Sequence, residues 1–446
     1  MATEDSEGAA LTRLLAALSE GEGAPLPTSA LGRMRRTATA AARAGTSHLL
    51  GRLRGRPEAD AEAIQRLVLS LGQLKGVAMK MGQILSYIDA STPPELRQLL
   101  AVLQKSSQPT PFAVVEQVLR EELGDRATRL LETLERRPVA TASIGQVHRG
   151  RLEDGRPVAV KVLHPGIADA IRSDFRSAQT GKAMVKLIAP GSNASDLVDE
   201  AERMFLEECD YALEASRQRR FGGLYAEHLE LAIPEVFSEL SSSRVLTTAW
   251  SEGMGWEELL GTASPQARNR AGRALYTFYV GTLYRHGLFN GDPHPGNLLF
   301  TSDGAVTVLD FGCVREFSPQ EVEQLRALSR AVRADDPERV AEAFTRLGGR
   351  EPTTPAQRET TRRLLRGFFG PVLSPGARRI DNRDFLQVAE VLRNKRAMLQ
   401  LRIPGKLLFP FRIRFGLHAL LARLGAEVDW AALEEEFAGP ADRPPR

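Results

Sequence analysis

The spacing of apolar positions along the chain predicts helices first and strands afterwards. From 58 to 104, apolar residues recur every three or four positions, as on one face of a helix, and a further helix is predicted from Pro109 to Leu123. Two short apolar runs then lie within 138–150 and 158–162, on either side of the turn Glu153-Asp-Gly155. This change of pattern predicts a strand, a turn and a second strand.

The rest of the pattern is mainly helical, with one further strand near the middle of the chain. A long helix is predicted over 196–221, and most of its many carboxylates are expected to be solvated. The run from Arg244 to Gly253 predicts a buried strand that leads into a polar linker. From Gly255 onward the pattern is helical, and Ser318 followed by Pro319 predicts the start of one of these helices.

Composition and charge add little to this picture. The 446 residues are 42% hydrophobic and 26% charged, as in ordinary globular proteins, and a formal net charge of +3 indicates no particular partner. Two cysteines, Cys209 and Cys313, are too few for a disulfide framework, so a reducing compartment is expected. No apolar run reaches about 18 residues and the first residues do not form a secretory signal. We therefore expect a cytoplasmic protein without a transmembrane helix.

Two stretches, 23–57 and 391–426, lack acidic residues and are rich in arginine, with apolar residues interleaved. Such a stretch either lies as an amphipathic helix on an anionic membrane surface or packs on the rest of the protein through its apolar residues. Four leucines at helical spacing favour packing of the second stretch as part of a C-terminal helix pair: Leu417, Leu420, Leu421 and Leu424. Peripheral contact with a membrane stays an open alternative.

The strongest chemical signal lies downstream of the predicted linker. Asp292 is followed five residues later by Asn297, and thirteen residues after Asn297 comes Asp310, which opens an Asp-Phe-Gly motif. In kinase-type phosphotransfer sites one Asp holds the attacking group, while an Asn and a second Asp bind magnesium. Apolar runs on both sides of Ser302-Asp-Gly304 predict a hairpin that carries the two metal ligands, Asn297 and Asp310, to one edge.

A lysine lies within the second predicted strand, at Val158-Ala-Val-Lys161. A lysine that points inward from a strand is costly unless it meets an anion or a carboxylate. In kinases it binds the α- and β-phosphates of ATP and pairs with a glutamate on a helix. We assign Glu214 as its partner, with Glu208 and Asp210 one or two turns earlier on the same predicted helix. Thr248, just before the polar linker, is predicted to bind nucleotide where adenine would dock.

The loop ahead of Lys161, which is glycine-rich in kinases, contains mainly alanine, threonine and serine here. Side chains in this loop would crowd the phosphates, whereas glycines let backbone N–H groups approach them. We therefore expect altered handling of the nucleotide rather than ordinary protein-kinase turnover. The predicted nucleotide-binding residues of this region are Ala140, Thr141, Ala142, Ser143, Gly145 and Val147.

The segment after Asp-Phe-Gly is unusually short. It passes through Cys313-Val-Arg-Glu-Phe317 almost directly into a predicted helix, without an Ala-Pro-Glu motif. Residue 291 is Gly, where protein kinases carry the Arg that binds a phosphorylated activation loop. Phosphorylation of this loop is therefore not expected to act as a switch.

Taken together, these motifs resemble those of the UbiB (AarF-type) family of atypical kinase-like proteins, over about residues 60–430. Four elements carry the resemblance: Lys80-Met-Gly-Gln83, Ala140-Thr-Ala-Ser143 with Ile144-Gly-Gln-Val147, Glu208-Cys-Asp210 with Glu214, and Gly291-Asp-Pro-His-Pro-Gly-Asn297 with Asp310-Phe-Gly312. The sequence departs from the family pattern in two places. Thr141 interrupts the alanine run, and Asn290-Gly291 replaces the more usual His-Ala.

The resemblance implies a two-lobed, α+β, protein-kinase-like fold with a helical N-terminal extension over the active site. It also implies that Lys80, from the motif that includes Gly82 and Gln83, pairs with Glu208. This pair would hold the extension across the cleft where a protein substrate would otherwise sit. The predicted domains are a mobile basic region 1–57, the helical extension 58–108, an N-lobe 109–247, a C-lobe 248–438 and a tail 439–446.

The function expected from the motifs and the resemblance is binding of ATP or ADP with Mg²⁺. ATPase activity would support ubiquinone or other prenyl-lipid biosynthesis, with little or no protein kinase activity in trans. The expected partners are the nucleotide, an anionic membrane surface or prenyl lipid, and lipid-biosynthesis enzymes, with no nucleic acid. Two alternatives remain open: a nucleotide-gated lipid-binding or scaffold protein without turnover, and a small-molecule kinase in which His294 contacts the acceptor.

Overall fold

The computed structural model describes residues 109–142, 144–176, 202–381 and 405–439. All of them belong to one of the two compact units of the chain, Lys75–Arg446. Several predictions lie outside the described residues: the helices over 58–104, the Lys80-Met-Gly-Gln83 motif, the basic stretch 23–57 and Ser143.

The N-lobe is an antiparallel four-stranded sheet with two helices on one face. Its first described helices are α1 (Phe112–Leu123), α2 (Ala127–Thr133) and, after the third strand, α3 (Ile167–Arg176). Its strands lie in the order β1 (Ala140–Thr141), β2 (Gly145–Arg151), β3 (Pro157–Leu163) and β5 (Val245–Ala249). The predicted helix after Pro109, the strand–turn–strand unit and the later buried strand are all confirmed.

The two faces of β3 have different surroundings, because side chains alternate across a strand. Val158, Val160 and Val162 are buried in a core shared with α1 and α2. Lys161 lies on the opposite face, beside its cross-strand neighbour Val147 on β2. One face of the sheet therefore stabilises the lobe and the other is left to form the site.

The single long helix predicted over 196–221 is wrong. A helix over 202–208 (α4) ends before Asp210, and a second helix, α5 (Tyr211–Leu224), begins directly after it. The carboxylate of Asp210 accepts hydrogen bonds of 3.1 and 3.2 Å from the backbone N–H groups two and three residues further on. This residue therefore caps a new helix. Periodicity missed the break because a capping Asp fits the helical spacing of the surrounding carboxylates.

The C-lobe is mainly helical, as predicted, and contains two small sheets that hold the catalytic motifs. Its first helices are α6 (Trp256–Thr262), α7 (Pro265–Tyr276) and α8 (Thr282–His286), with a π-helical turn at Thr277–Gly281 joining the last two. One sheet contains β4 (Leu231–Ala232), β8 (Val306–Val308) and β7 (Leu298–Phe300), and the other pairs β6 (Leu288–Asn290) with β9 (Val314–Glu316). The predicted hairpin is confirmed as β7 and β8.

The described residues of this lobe form five further helices: α9 (Pro319–Arg333), α10 (Pro337–Arg346), α11 (Pro355–Phe369), α12 (Gly405–Leu424) and α13 (Trp430–Ala438). The predicted start of α9 is confirmed, since Ser318 and Glu321 form a reciprocal capping box ahead of Pro319. No helix in the described part of the chain is long and apolar enough to cross a membrane.

Packing of the C-terminal helices on the lobe is confirmed for the described residues. Leu417, Leu420, Leu421 and Leu424 of α12 are all buried. Arg414, one of the arginines of the basic stretch 391–426, does not face solvent either: its Nη2 donates to Glu434 of α13 at 2.6 Å, with the two side chains 9% and 0% exposed.

Glu434 is the acceptor at the centre of a buried polar network. Besides Arg414, the hydroxyls of Tyr276, Tyr284 and Ser329 donate to its two carboxylate oxygens. Burial would raise the pKa of Glu434, but Arg414 and the hydroxyls of Ser329 and Tyr276 outweigh it, so this pKa lies below its ordinary value. Helices α7, α8, α9, α12 and α13 are thereby joined through one side chain.

We expect Glu434→Gln to lower the free energy of unfolding by about 3 kcal/mol, because it leaves the buried guanidinium of Arg414 without its counter-charge. Urea denaturation of the two proteins measures the difference. The double variant Glu434→Gln/Arg414→Met should be less destabilised than the sum of its single variants, since neither buried charge then remains. Loss of less than about 0.5 kcal/mol in Glu434→Gln, the scale of a surface substitution, would contradict this account.

Candidate active site

The ammonium group of Lys161 lies between two carboxylates from different parts of the chain. Its Nζ donates to Oε1 and Oε2 of Glu214 at 2.9 and 3.0 Å, and to Oδ2 of Asp310 at 3.2 Å. The ring of Tyr211, the first residue of α5, lies 5.0 Å from the same nitrogen. The predicted pairing of Lys161 with Glu214 is therefore present, and Asp310 shares the lysine with it.

Burial and charge act against each other in this group. Burial opposes the charged form of Lys161, but Asp310 and Glu214 outweigh it and hold the pKa of the lysine well above its ordinary value. Burial also raises the pKa of Glu214, with Lys161 acting in the opposite direction. The side chain of Glu214 is only 1% exposed, so its stability as a carboxylate depends on the lysine.

The catalytic loop between β6 and β7 holds Asp292 and Asn297 together. Nδ2 of Asn297 donates to Oδ2 of Asp292 at 3.0 Å, and Tyr279 Oη donates to the Asp292 carbonyl at 3.3 Å. The backbone N–H of Leu309 donates to the Asn297 carbonyl at 2.9 Å, which places Asn297 beside the residue that precedes Asp310. The hairpin therefore brings together the two residues predicted to bind magnesium.

Asn290 is a site residue whose contribution the sequence did not predict. It is 1% exposed, its Nδ2 donates to the backbone carbonyl of Asp310 at 2.9 Å, and its Oδ1 accepts from the Asp292 N–H at 3.0 Å. One amide thus joins the catalytic loop to the Asp-Phe-Gly segment. The available signal was its departure from the family pattern just before Asp292.

The described residues among those predicted to bind nucleotide lie on or next to the face of the sheet that carries Lys161. Val147 is the cross-strand neighbour of Lys161, and Thr248 of β5 pairs with Ala159 on the same face. Ala140 and Thr141 form β1, and the N–H of Ala142 donates to the carbonyl of Gly145 at 2.7 Å, which closes the turn.

Gly145 has no room for a side chain. A Cβ there would lie 2.5 Å from the Val162 carbonyl oxygen and even closer to the hydroxyl of Tyr211. Real Cβ atoms do not approach so closely, so glycine is required by the close packing of β2 against β3 and Tyr211. Gly145 is therefore explained by packing, not by phosphate binding.

The remaining predicted residues belong to the helices next to the Asp-Phe-Gly segment. Glu208 is 8% exposed and its side chain lies against Gly312. Its predicted partner, Lys80, lies outside the described residues, so this pair stays a prediction. Asp210, predicted to belong to the same extension contact, caps α5.

The described carboxylates of this region are less solvated than expected, since Glu208 and Glu214 are buried and the other three are half-buried. None of the following is exposed: Glu202, Glu207, Glu208, Asp210 and Glu214. Glu207 accepts from two arginines, Arg217 and Arg315, which the sequence did not single out. The many acidic residues of these helices thus indicated a cluster of polar contacts, since a carboxylate that is withdrawn from water has to meet a hydrogen-bond donor.

The donor set suits a magnesium-bound nucleotide. Asp310 supplies carboxylate oxygen and Asn297, whose Nδ2 is engaged by Asp292, supplies amide oxygen; oxygen ligands are those that Mg²⁺ prefers. In the described ranges no group of three or more His, Cys, Asp or Glu side chains could hold a metal. Asn297 and Asp310 are therefore the described side chains that would hold a magnesium ion bound to the nucleotide.

The structure has two lobes. A strand lysine pairs with a helix glutamate, and the loop that carries Asp292 and Asn297 is followed by Asp-Phe-Gly. These features define a protein of the kinase-like class. Residues 102–344 match the model of the ABC1 atypical kinase-like domain. The chain belongs to this family, and the resemblance to UbiB (AarF-type) proteins is confirmed.

Relatives and a solved structure agree with this assignment. The chain is 31% identical over 298 residues to atypical kinase coq-8, mitochondrial, of Caenorhabditis elegans, covering 65% of this chain and 39% of that protein. It is 32% identical over 283 residues to AarF domain-containing protein kinase 1 of Xenopus laevis, covering 62% and 54% respectively. The chain thus spans about half or less of the length of these relatives. Rv3197 of Mycobacterium tuberculosis, solved in complex with erythromycin, is similar with a TM-score of 0.62 and 31% identity, covering 87% of this chain and all of that one.

We expect Gly145→Ala to lower the free energy of unfolding by about 1–3 kcal/mol, the usual cost of forcing an extra carbon into a packed site. The stabilisation of the protein by Mg-ATP, measured as a shift in Tm, should fall as well, because β2 must move relative to Lys161.

The matched control is Gly223→Ala. Gly223 lies in α5, where a Cβ would meet nothing within 4 Å, so this variant should be as stable as the wild type or slightly more stable. Equal free energies of unfolding for the two variants would show that a side chain is tolerated at position 145 and that packing does not require glycine there.

Proposed function

We propose that this protein binds Mg-ATP in the cleft between its lobes and hydrolyses it, as an atypical kinase-like ATPase. The observation that carries the proposal is the shared lysine: Lys161 joins Glu214 of the N-lobe to Asp310 of the C-lobe, within hydrogen-bonding distance of both. A largely buried cation that two carboxylates hold in place is positioned to bind the phosphates of a nucleotide.

Each residue has a distinct part in this proposal. Lys161, oriented by Glu214, binds the phosphates. Asp292 orients the attacking oxygen and accepts its proton, and Asn297 Nδ2 fixes one oxygen of that carboxylate so that the other can act. Asn297 and Asp310 would hold the magnesium ion, which supplies positive charge against the charge that develops on the phosphates.

The attacking group is proposed to be water or a small molecule rather than a protein hydroxyl. Protein kinases order their substrates with a long activation segment, whereas here β9 leads from Asp310-Phe-Gly directly to α9. The motif resemblance connects this ATPase to ubiquinone or other prenyl-lipid biosynthesis. Contact with an anionic membrane surface and with lipid-biosynthesis enzymes belongs to the same proposal.

A second candidate is the binding of a small-molecule ligand besides the nucleotide. It is favoured by the similarity to Rv3197, whose structure was solved in complex with erythromycin. A shift in Tm on addition of erythromycin, compared with and without Mg-ATP, would test this candidate independently of turnover.

We expect purified wild-type protein to hydrolyse ATP and to lose the activity when magnesium is removed with EDTA. Asp310→Asn should lower turnover by about 100-fold or more, since it removes a charge that holds the metal at the reacting phosphate. Phosphate release, with and without anionic liposomes, measures the effect, and higher turnover on liposomes would support the membrane role.

Asp303→Asn is the matched control, because Asp303 lies at the exposed tip of the β7–β8 hairpin, where it pairs with Arg270. Its turnover should equal that of the wild type. A magnesium-dependent shift in Tm without turnover under any condition would contradict hydrolysis and favour a nucleotide-gated binding protein. Absence of both would contradict the proposed function altogether.

A further inference from the structure

Helix α5 lies along the segment that follows Asp310 and contacts it at three successive positions. Side chains three residues apart on a helix share one face. The contacts are Glu214 Oε1 with the Phe311 N–H at 3.5 Å, Arg217 Nη1 with the Gly312 carbonyl at 2.8 Å, and Arg220 Nη1 with Glu316 Oε1 at 2.8 Å.

The middle contact is part of a network centred on Glu207. Oε2 of Glu207 accepts from Arg217 Nη2 at 2.6 Å and from Arg315 Nη1 at 3.0 Å. The three side chains are 21%, 15% and 13% exposed, so these charge-assisted bonds are partly shielded from water. One carboxylate thus joins α4, α5 and β9.

The peptide of Gly312 transmits this network to the metal-binding residue. Its carbonyl accepts from Arg217, while its N–H donates to Oδ1 of Asp310 at 3.0 Å. The other carboxylate oxygen of Asp310 accepts from Lys161. A continuous chain of hydrogen bonds therefore runs from Glu207 through Arg217 and Gly312 to Asp310.

The carboxylate of Glu207 stabilises this arrangement electrostatically, since it accepts hydrogen bonds from both guanidinium groups. Without it, the guanidinium groups of Arg217 and Arg315 would lie close together, half-buried and with like charge. Arg217 would then lose the contact that aims it at Gly312. In many protein kinases a phosphate on the activation loop supplies the anion that orders this region through arginines. Here Gly291 replaces the arginine that would bind such a phosphate.

We infer that Glu207 is a positioning residue for Asp310: a built-in carboxylate that assembles the metal-binding end of the site without phosphorylation. The kinetic form of this inference rests on the proposed function. Its structural form, ordering of the segment 310–316 by Glu207, does not require nucleotide.

The test compares Glu207→Gln with the wild type by hydrogen exchange and by magnesium dependence. Without nucleotide, the peptide that covers 310–316 should exchange faster in the variant. The magnesium concentration that gives half of the Mg-ATP shift in Tm should rise about tenfold, as for other residues that support a metal ligand. If the wild type turns over ATP, the magnesium requirement of kcat should rise equally while magnesium-free binding of ATP stays the same.

Two further variants keep the test informative. Arg217→Lys retains the positive charge beside Glu207 but loses the forked geometry that reaches both Glu207 and Gly312, so it should give a smaller shift in the same direction. Adding Glu207→Gln to Arg217→Lys should then have less than its effect alone, because the two residues act through one path. If Glu207→Gln does not fold, Arg217→Lys alone decides the test.

The matched control is Glu316→Gln at the third contact, where the two side chains are 51% and 66% exposed. It should leave exchange and magnesium dependence within twofold of the wild type, since exposed ion pairs contribute little. The inference would be overturned if Glu207→Gln lowered Tm but changed neither the hydrogen exchange of 310–316 nor the magnesium dependence of the Mg-ATP shift. Glu207 would then form a purely structural ion pair. Faster exchange in a protein without any response to nucleotide would support the structural form while the proposed function fails.

Discussion

The structure depends on one largely buried ammonium group. Lys161 leaves β3 on the face away from the valine core and meets carboxylates from α5 and from the Asp-Phe-Gly segment. Burial of this charge costs free energy unless both carboxylates are present. Because the two carboxylates come from different lobes, the ion pairs also fix how the lobes lie relative to each other. The same requirement explains why Glu214 can be buried at 1% exposure.

Around this group, ordering is achieved by short hydrogen-bonded links between backbone segments. Asn290 joins the peptide groups of Asp292 and Asp310, and Arg217 holds the carbonyl of Gly312. Each of these links acts on main-chain atoms, so it fixes the backbone around Asp292 and Asp310 without itself engaging their carboxylates. The amide of Asn290 and the guanidinium of Arg217 are both largely buried, where such bonds are electrostatically strong.

Much of the fold and of the candidate site could be predicted, because it depends on the pattern and spacing of residues that are close in sequence. The strand that contains Lys161, the hairpin turn at Ser302-Asp-Gly304 and the cap at Ser318 each depend on a few neighbouring residues, and each is confirmed. The break at Asp210 could not be found in this way, because Asp serves equally as a solvated helix residue and as a cap until its hydrogen bonds are known.

The sequence by itself identified the residues of the candidate site: a strand lysine, a helix glutamate, and an Asp, an Asn and a second Asp at kinase-like intervals. Only the tertiary structure decided which other residues contact and position them. It brought Glu207 against Arg315, more than a hundred residues away, placed Asn290 between two catalytic peptides, and buried Arg414 in the C-lobe. The physical reason is that a charge or an amide specifies the need for a partner, whereas the fold, by removing water, determines which partner meets it.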